Sequence, residues 1–159
     1  MSLAIRDSVS ADVPVILKFI NDLAVYERLA HEAVATEADL QRELFGPAPK
    51  VFCQLAEVDG KPAGFALWYY TFSTFQGRHG IWLEDLFVNP EMRGHGIGKA
   101  LLIDLARRCV REGLGRFEWN VLDWNQPSID FYQSQGAGFL DDWRRCRVAG
   151  EALERLGAS

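Results

Sequence analysis

Two adjacent carboxylates, Glu84 and Asp85, interrupt the apolar run that begins at Ile81-Trp82-Leu83 and resumes at Leu86-Phe87-Val88. Burying a carboxylate without compensation costs several kcal/mol, so such a pair needs an arginine, a backbone N–H or a cationic ligand. One chemistry calls for this arrangement. An alkylammonium with a pKa of about 10.4 is almost wholly protonated at pH 7 and cannot act as a nucleophile. A nearby carboxylate can hold the cation and then take its proton, directly or through water. Glu84 and Asp85 are therefore either structural acids with local partners or the acidic side of an amine site. In a regular strand, alternation puts Leu83, Asp85 and Phe87 on one face and Trp82, Glu84 and Leu86 on the other; a bulge would alter this.

The second constellation is Arg93-Gly94-His95-Gly96-Ile97-Gly98, between the acidic strand and an amphipathic segment. Glycines permit left-handed dihedrals and let successive N–H groups converge on an anion, and a following helix adds partial positive charge. The turn can cradle a phosphate, with Arg93 as an extra cation, or be a glycine turn without a ligand. A Walker loop would need glycine at Arg93 and Ser or Thr at Ala100. A dinucleotide fingerprint would need a different glycine spacing and a second βαβ half. A pyrophosphate on some other carrier remains. The third constellation is Asn125-Gln126-Pro127-Ser128 followed by Tyr132. Asn125 can satisfy free amides at a helix start, and Ser128 and Tyr132, four apart, share a face. A phenol can donate a proton or a hydrogen bond, or it can pack as an amphipathic core residue.

These groups need a scaffold. Residues 3–9 read as a strand, and Ser10, Ala11 and Asp12 as a cap with Pro14 in the first turn of a helix. That helix carries apolar residues at Val13, Ile16, Leu17, Ile20, Leu23 and Ala24. Thr36 and Asp39 open a second helix that ends at Gly46-Pro47. Two strands joined by a tight turn at Asp59-Gly60 follow, then the acidic strand, which Asn89-Pro90 stops. The amphipathic helix closes at Gly113. A strand over 115–123, a short helix from Asn125 to Gly136, and a tail with one last strand and a turn of helix complete the pattern. The order β-α-α-β-β-β-α-β-α-β predicts a single α/β domain over residues 1–159, with a mixed sheet flanked by helices.

The chain of 159 residues is 48% hydrophobic and 25% charged, with a net charge of −5. That balance fits a globular core and argues against nucleic acid or an anionic membrane as partner. No apolar run approaches the roughly 20 residues of a membrane helix, and the first residues lack the pattern of a signal peptide. Cys53, Cys109 and Cys146 are widely spaced, which predicts reduced thiols in a cytoplasmic setting. His31, His79 and His95 are scattered, and no metal-ligand spacing is present.

Taken together, "LAVYERL", "GFALWYYTFSTFQGR", "WLEDLFV", "RGHGIG" and "VLDWNQPSIDFYQSQGA" resemble the GNAT superfamily of N-acetyltransferases. Within it they are most similar to the diamine and thialysine N-acetyltransferases. The glycine turn matches that superfamily's acyl-CoA pyrophosphate loop, and the likeness covers nearly the whole chain. The resemblance implies a mostly antiparallel twisted sheet, acetyl-CoA as co-substrate, no metal, a small-molecule amine as acceptor and a homodimer. It implies that Arg93, Gly94, His95, Gly96, Ile97 and Gly98 hold the pyrophosphate. Leu86, Phe87 and Val88 would pair through their backbone with the pantetheine arm, and Asn125 and Ser128 would contact it. Glu84 would be the base, acting through water, and Tyr132 the general acid. Tyr26, Glu27, Glu84, Asp85 and Trp143 would line the amine pocket, with Asp141 and Asp142 before Trp143. Ser73 and Phe75 stand where the diamine enzymes carry an Asp and a Trp, which points away from spermidine and toward a thialysine-like acceptor. A protein or peptide acetyltransferase and a non-catalytic acyl-CoA-binding module are the alternatives.

Overall fold

The computed structural model describes residues 1–159, which divide into two compact units, Met1–Leu122 and Asp123–Ser159. The first holds β1 (Leu3–Asp7), α1 (Val13–Tyr26), α2 (Glu37–Phe45), β2 (Phe52–Val58), β3 (Lys61–Ser73), β4 (Arg78–Val88), α3 (Ile97–Glu112) and β5 (Phe117–Trp119). The second holds α4 (Gln126–Ser134) and α5 (Gly150–Gly157). The five strands form one sheet in the order β1-β2-β3-β4-β5, antiparallel except for the β4–β5 pair.

Local sequence explains most boundaries. Thr36 accepts from the Asp39 amide and Asp39 bonds back to the Thr36 N–H, a reciprocal cap that starts α2. Asp59 and Gly60, at φ 51° and 77°, make the tight turn between β2 and β3. Gly113, at φ 68°, ends α3. Asp12 behaves differently from the expected α1 cap. Its carboxylate accepts from the Val9 N–H and from both terminal nitrogens of Arg6, which holds a single 3₁₀ turn over Ser10–Asp12 ahead of α1.

Two apolar layers sandwich the sheet. On one face Val13, Ile16 and Phe19 of α1 and Leu40 and Leu44 of α2 pack on Cys53, Leu55, Phe65, Leu67 and Phe87. Phe19 stacks on Phe65 with ring centroids 5.5 Å apart and leans on Phe87 at 6.0 Å. The other face, with Ala66, Trp68, Ile81 and Leu83, is covered by Ile97, Leu101 and Leu105 of α3. One polar chain runs through this core: the Trp68 indole donates to Gln54 Oε1, and Gln54 Nε2 donates to Asp7 Oδ1 at 2.8 Å. Gln54 is fully buried and both ends of its amide are satisfied. The cysteines are unpaired thiols; Cys53 and Cys109 are buried and Cys146 is exposed. Burial pushes the thiols of Cys53 and Cys109 up. No helix is long and apolar enough to cross a membrane.

Two expectations change. The strand predicted over 115–123 shrinks to Phe117–Trp119, because its parallel pairing ends where Leu83 meets Trp119. The last strand, in the tail, does not form. Residues 141–147 contain two aspartates and three arginines, so neither alternating set offers an apolar face to bury. The tail instead runs without regular structure to α5.

Gly64 lies opposite Val88 in the β3–β4 ladder, and a Cβ there would come within 2.6 Å of the Phe87 carbonyl oxygen and 3.2 Å of Val88 Cα. Both obstacles are backbone and cannot rotate away. Gly64→Ala is expected to cost about 1–3 kcal/mol of stability, read from urea unfolding midpoints; an unchanged midpoint would show that β4 can move aside.

Candidate active site

The acidic segment owes its geometry to a bulge. Leu67 of β3 pairs with Asp85 and the next residue, Trp68, pairs with Leu83, so Glu84 is one residue too many. The regular alternation read from the sequence is thereby corrected. Asp85 and Phe87 face the α1 side together with Trp82, while Leu83 and Leu86 belong to the α3 side. Glu84 protrudes from the bulge, exposed, and its Oε2 accepts from the Trp82 indole N–H at 2.9 Å. Asp85 is half-buried against the apolar layer. Burial, with Glu84 and then Glu27 adding repulsion, pushes its carboxyl up to about 7. Glu27, which follows α1, is also pushed up, first by burial and then by Glu84. The strand thus meets the end of α1 in three mutually repelling carboxylates, an arrangement that favours a cationic ligand or a shared proton.

Beyond the bulge one edge of β4 is open. Its parallel pairing with β5 covers Ile81, Trp82 and Leu83 only, so the segment from Glu84 to Val88 has a sheet partner on the β3 side alone. The unpaired edge offers N–H and C=O groups to an extended ligand. It leads through a 3₁₀ turn at Pro90–Met92 into the glycine loop. Gly94 and Gly96 stand at φ 81° and 76°, a backbone that side-chain-bearing residues rarely adopt. Gly96 is also the N-cap of α3 and supplies no side chain to its first-turn amides. A Cβ on Gly98 would make only an ordinary contact of 3.8 Å with Val88, so protein packing does not demand glycine there. The open approach and the helix N-terminus together suit an anion.

Arg93 has a role that the sequence did not disclose. Its Nε donates to the Val88 carbonyl at 3.1 Å, and its guanidinium stands 5.0 Å from the Tyr26 ring centroid and 5.4 Å from that of Phe87. It therefore ties the end of α1 to the end of β4. Arg93 and Tyr26 stand sixty-seven positions apart, so no local spacing announces the contact. The Trp82–Glu84 bond, by contrast, follows from side chains two apart on one strand. His95 Nδ1 lies 3.1 Å and 3.0 Å from the carbonyls of Met92 and Arg93, which pins the loop when that nitrogen carries the proton.

In the second unit, Asn125 is buried and its Oδ1 accepts from the Ser128 N–H at 3.4 Å, the cap expected for α4. Ser128 and Tyr132 lie one turn apart on that helix, and the Tyr132 ring leans on Phe131 at 5.4 Å. Trp143 is 79% exposed, in the irregular stretch that also holds Asp141 and Asp142. The first unit therefore brings together Tyr26, Glu27, Glu84, Asp85, Arg93 and the β4 edge, and the second gathers Asn125, Ser128 and Tyr132 on one short helix.

The Asp85 carboxyl makes stability fall with pH. The folded chain holds this proton up to about 7, whereas the unfolded chain releases it near 3.8, so unfolding is increasingly favoured between those values. Asp85→Asn is expected to remove that slope and to be more stable than the parent at pH 8 by about 1–3 kcal/mol, with little difference at pH 4. Urea unfolding at the two pH values measures it; parallel curves for parent and variant would contradict the raised value.

Residues 17–139 match the acetyltransferase (GNAT) family. The pig thialysine N-epsilon-acetyltransferase (Sus scrofa) is 36% identical over 166 residues, covering 98% of this chain and 97% of that protein. The L-ornithine N5-acetyltransferase of Arabidopsis thaliana is 32% identical, covering 96% of this chain and 86% of that one. Among solved structures, an integron cassette protein from the mobile metagenome of V. cholerae superposes with a TM-score of 0.83 at 27% identity, over 100% of this chain and 99% of that chain. With a family match across most of its length and full-length relatives above 30% identity, the chain belongs to the GNAT acetyltransferase family.

Proposed function

We propose that the protein transfers an acetyl group from acetyl-CoA to the primary amine of a small molecule by direct attack. The observation that carries this reading is the open β4 edge, with a three-carboxylate cluster at its start and a glycine loop at its end. An acyl-CoA has the matching parts: a thioester, an extended amide-bearing arm and a pyrophosphate. In this reading the backbone of Leu86, Phe87 and Val88 pairs with the arm and helps polarise the thioester carbonyl. The amides of residues 94–98 and the N-terminus of α3 receive the pyrophosphate, with Arg93 alongside. Asn125 and Ser128 contact the arm.

The amine arrives as an ammonium, attracted by Glu27, Glu84 and Asp85, with Tyr26 as an aromatic wall. Glu84, exposed and anchored by the Trp82 indole, takes the proton through water. The neutral amine attacks the thioester carbon, the adduct's nitrogen releases its second proton to water, the C–S bond breaks, and the Tyr132 phenol gives its proton to the departing thiolate and regains one from solvent. The relatives named for thialysine and ornithine support an acceptor that is an amino acid with a side-chain amine. Ser73 supports the same choice: its hydroxyl accepts from the Gln76 N–H at 3.2 Å and brings no charge to the β3–β4 loop. A second, distant ammonium would find no carboxylate at that position.

Release of free CoA thiol, followed with thialysine, lysine, ornithine, spermidine, putrescine and a lysine peptide at pH 7 and pH 9, tests the reading. Thialysine or ornithine is expected to exceed spermidine. Turnover on the peptide alone would make this a peptide acetyltransferase, and acetyl-CoA binding with no turnover on any acceptor would leave a binding module. Glu84→Gln is expected to lower kcat/KM by about 10–100-fold at pH 7 and by less at pH 9, where more amine is already neutral. Tyr132→Phe should lower kcat about tenfold or more with the KM for acetyl-CoA nearly unchanged. Parent-like rates in both variants would remove these assignments.

A further inference from the structure

Three carboxylates meet where β4 faces the end of α1, and the reaction proposed above needs one of them to remain an anion. Their surroundings differ. Asp85 and Glu27 are half-buried, and burial holds both carboxyls above the usual range. After burial, the charge of Glu84 is the first repulsion that each of them feels. Glu84 is therefore the anion to which the other two respond. Its Oε2 accepts from the Trp82 indole N–H at 2.9 Å. An indole nitrogen donates and does not accept, so this bond favours the ionised carboxylate.

The anchor is more firmly held than the residue it anchors. Trp82 is half-buried and lies where β4 is paired on both edges, opposite Tyr69 of β3 and Glu118 of β5. Glu84, two residues on, is the exposed extra residue of the bulge, past the last β5 pairing at Leu83. A long side chain in that place would otherwise sample many rotamers. The indole ties one carboxylate oxygen to the rigid part of the sheet and leaves Oε1 for a water or an ammonium. Asp85 on the same strand and Glu27 after α1 act on Glu84, while Tyr69 and Glu118 flank the anchoring indole in the ladder. Each of these carries or can acquire negative charge, so the N–H dipole opposes their repulsion.

We propose that Trp82 is a positioning residue of the transfer reaction: its indole N–H fixes the Glu84 carboxylate beside the open β4 edge and reserves the anion of the three-carboxylate cluster for that residue. The proposal rests on the reading of Glu84 as the base. It gives Trp82 no contact with acetyl-CoA or with the amine; Trp82 acts through Glu84. Without the N–H, the negative charge is shared more evenly among three carboxylates, and Glu84 holds a proton over part of the range in which it has to accept one.

Two measurements on the full chain test it. In proton–nitrogen NMR spectra of the parent, the assigned Trp82 indole resonance is expected to show an inflection with pH that vanishes in Glu84→Gln. This readout needs no turnover and no substitution at Trp82. A resonance that stays still, or that moves identically in Glu84→Gln, overturns the proposal. The second measurement is the rate of Trp82→Phe, which keeps a ring in the ladder and loses the N–H. With thialysine as acceptor, kcat/KM is expected to fall about 3–10-fold at pH 7 with the KM for acetyl-CoA unchanged. The loss should widen below pH 6, as the acid limb of the profile rises by about 0.5–1 in pH. In a Glu84→Gln background the same substitution should change the rate by about twofold or less, since the group it positions is gone. An equal loss at every pH and in both backgrounds is what a merely structural tryptophan gives, and it overturns the proposal. A slow Glu84→Gln beside a parent-like Trp82→Phe overturns the positioning role alone. Parent-like rates in Glu84→Gln remove Glu84 as the base, and the part of Trp82 in the reaction goes with it.

Discussion

One extra residue in β4 organises the candidate site. A strand that pairs regularly on both edges has no room for a ligand and must send its side chains alternately to two apolar layers. The insertion of Glu84 against the β3 ladder breaks that rule at one point. It puts one carboxylate outward and the next inward, although they are neighbours in the chain. It also coincides with the end of the β5 pairing, so the same position starts both the acidic cluster and the open edge. Without the bulge, either Glu84 would lie opposite Trp68, where Leu83 now fills a core layer, or Asp85 would lie opposite Ala66, in the place of Leu86.

The two carboxylates then acquire different chemistry from their surroundings. Glu84 is solvated and fixed by an indole N–H; Asp85 sits against the layer built by Phe19, Phe65 and Phe87 and retains its proton to about 7. Adjacent acids with separated proton affinities can divide labour, one exchanging protons with water and one sensing the charge of what enters. Arg93 acts on the frame around the cluster. Held over Tyr26 and Phe87 and bonded to the Val88 carbonyl, it keeps α1 and β4 in register.

Much of this was legible in the sequence because the signals are local. The glycine loop, the Thr36–Asp39 cap, the Asp59-Gly60 turn and the Asn125 cap each depend on residues within a few positions of one another. The bulge was not legible, since Ile81-Trp82-Leu83-Glu84-Asp85-Leu86 fits regular alternation equally well and only the register against Leu67 and Trp68 decides. The contact of Arg93 with Tyr26 and the meeting of Asp7 with Arg108 join residues far apart in the chain, and no periodicity encodes them. The last strand was expected from the pattern of elements along the chain, yet the arginine-rich tail carries no apolar face to bury.

The distribution of sulfur has a practical side. Cys53 and Cys109 lie in the core with their thiols pushed toward the protonated form, while Cys146 is exposed in the stretch between α4 and α5. A maleimide or a disulfide-exchange reagent therefore meets one accessible thiol on the native chain. That makes position 146 a natural attachment point for a fluorophore or spin label that reports on the second unit alone, with no cysteine to engineer in or out. It also means that a colorimetric readout of liberated coenzyme thiol starts from a fixed background of about one equivalent per chain.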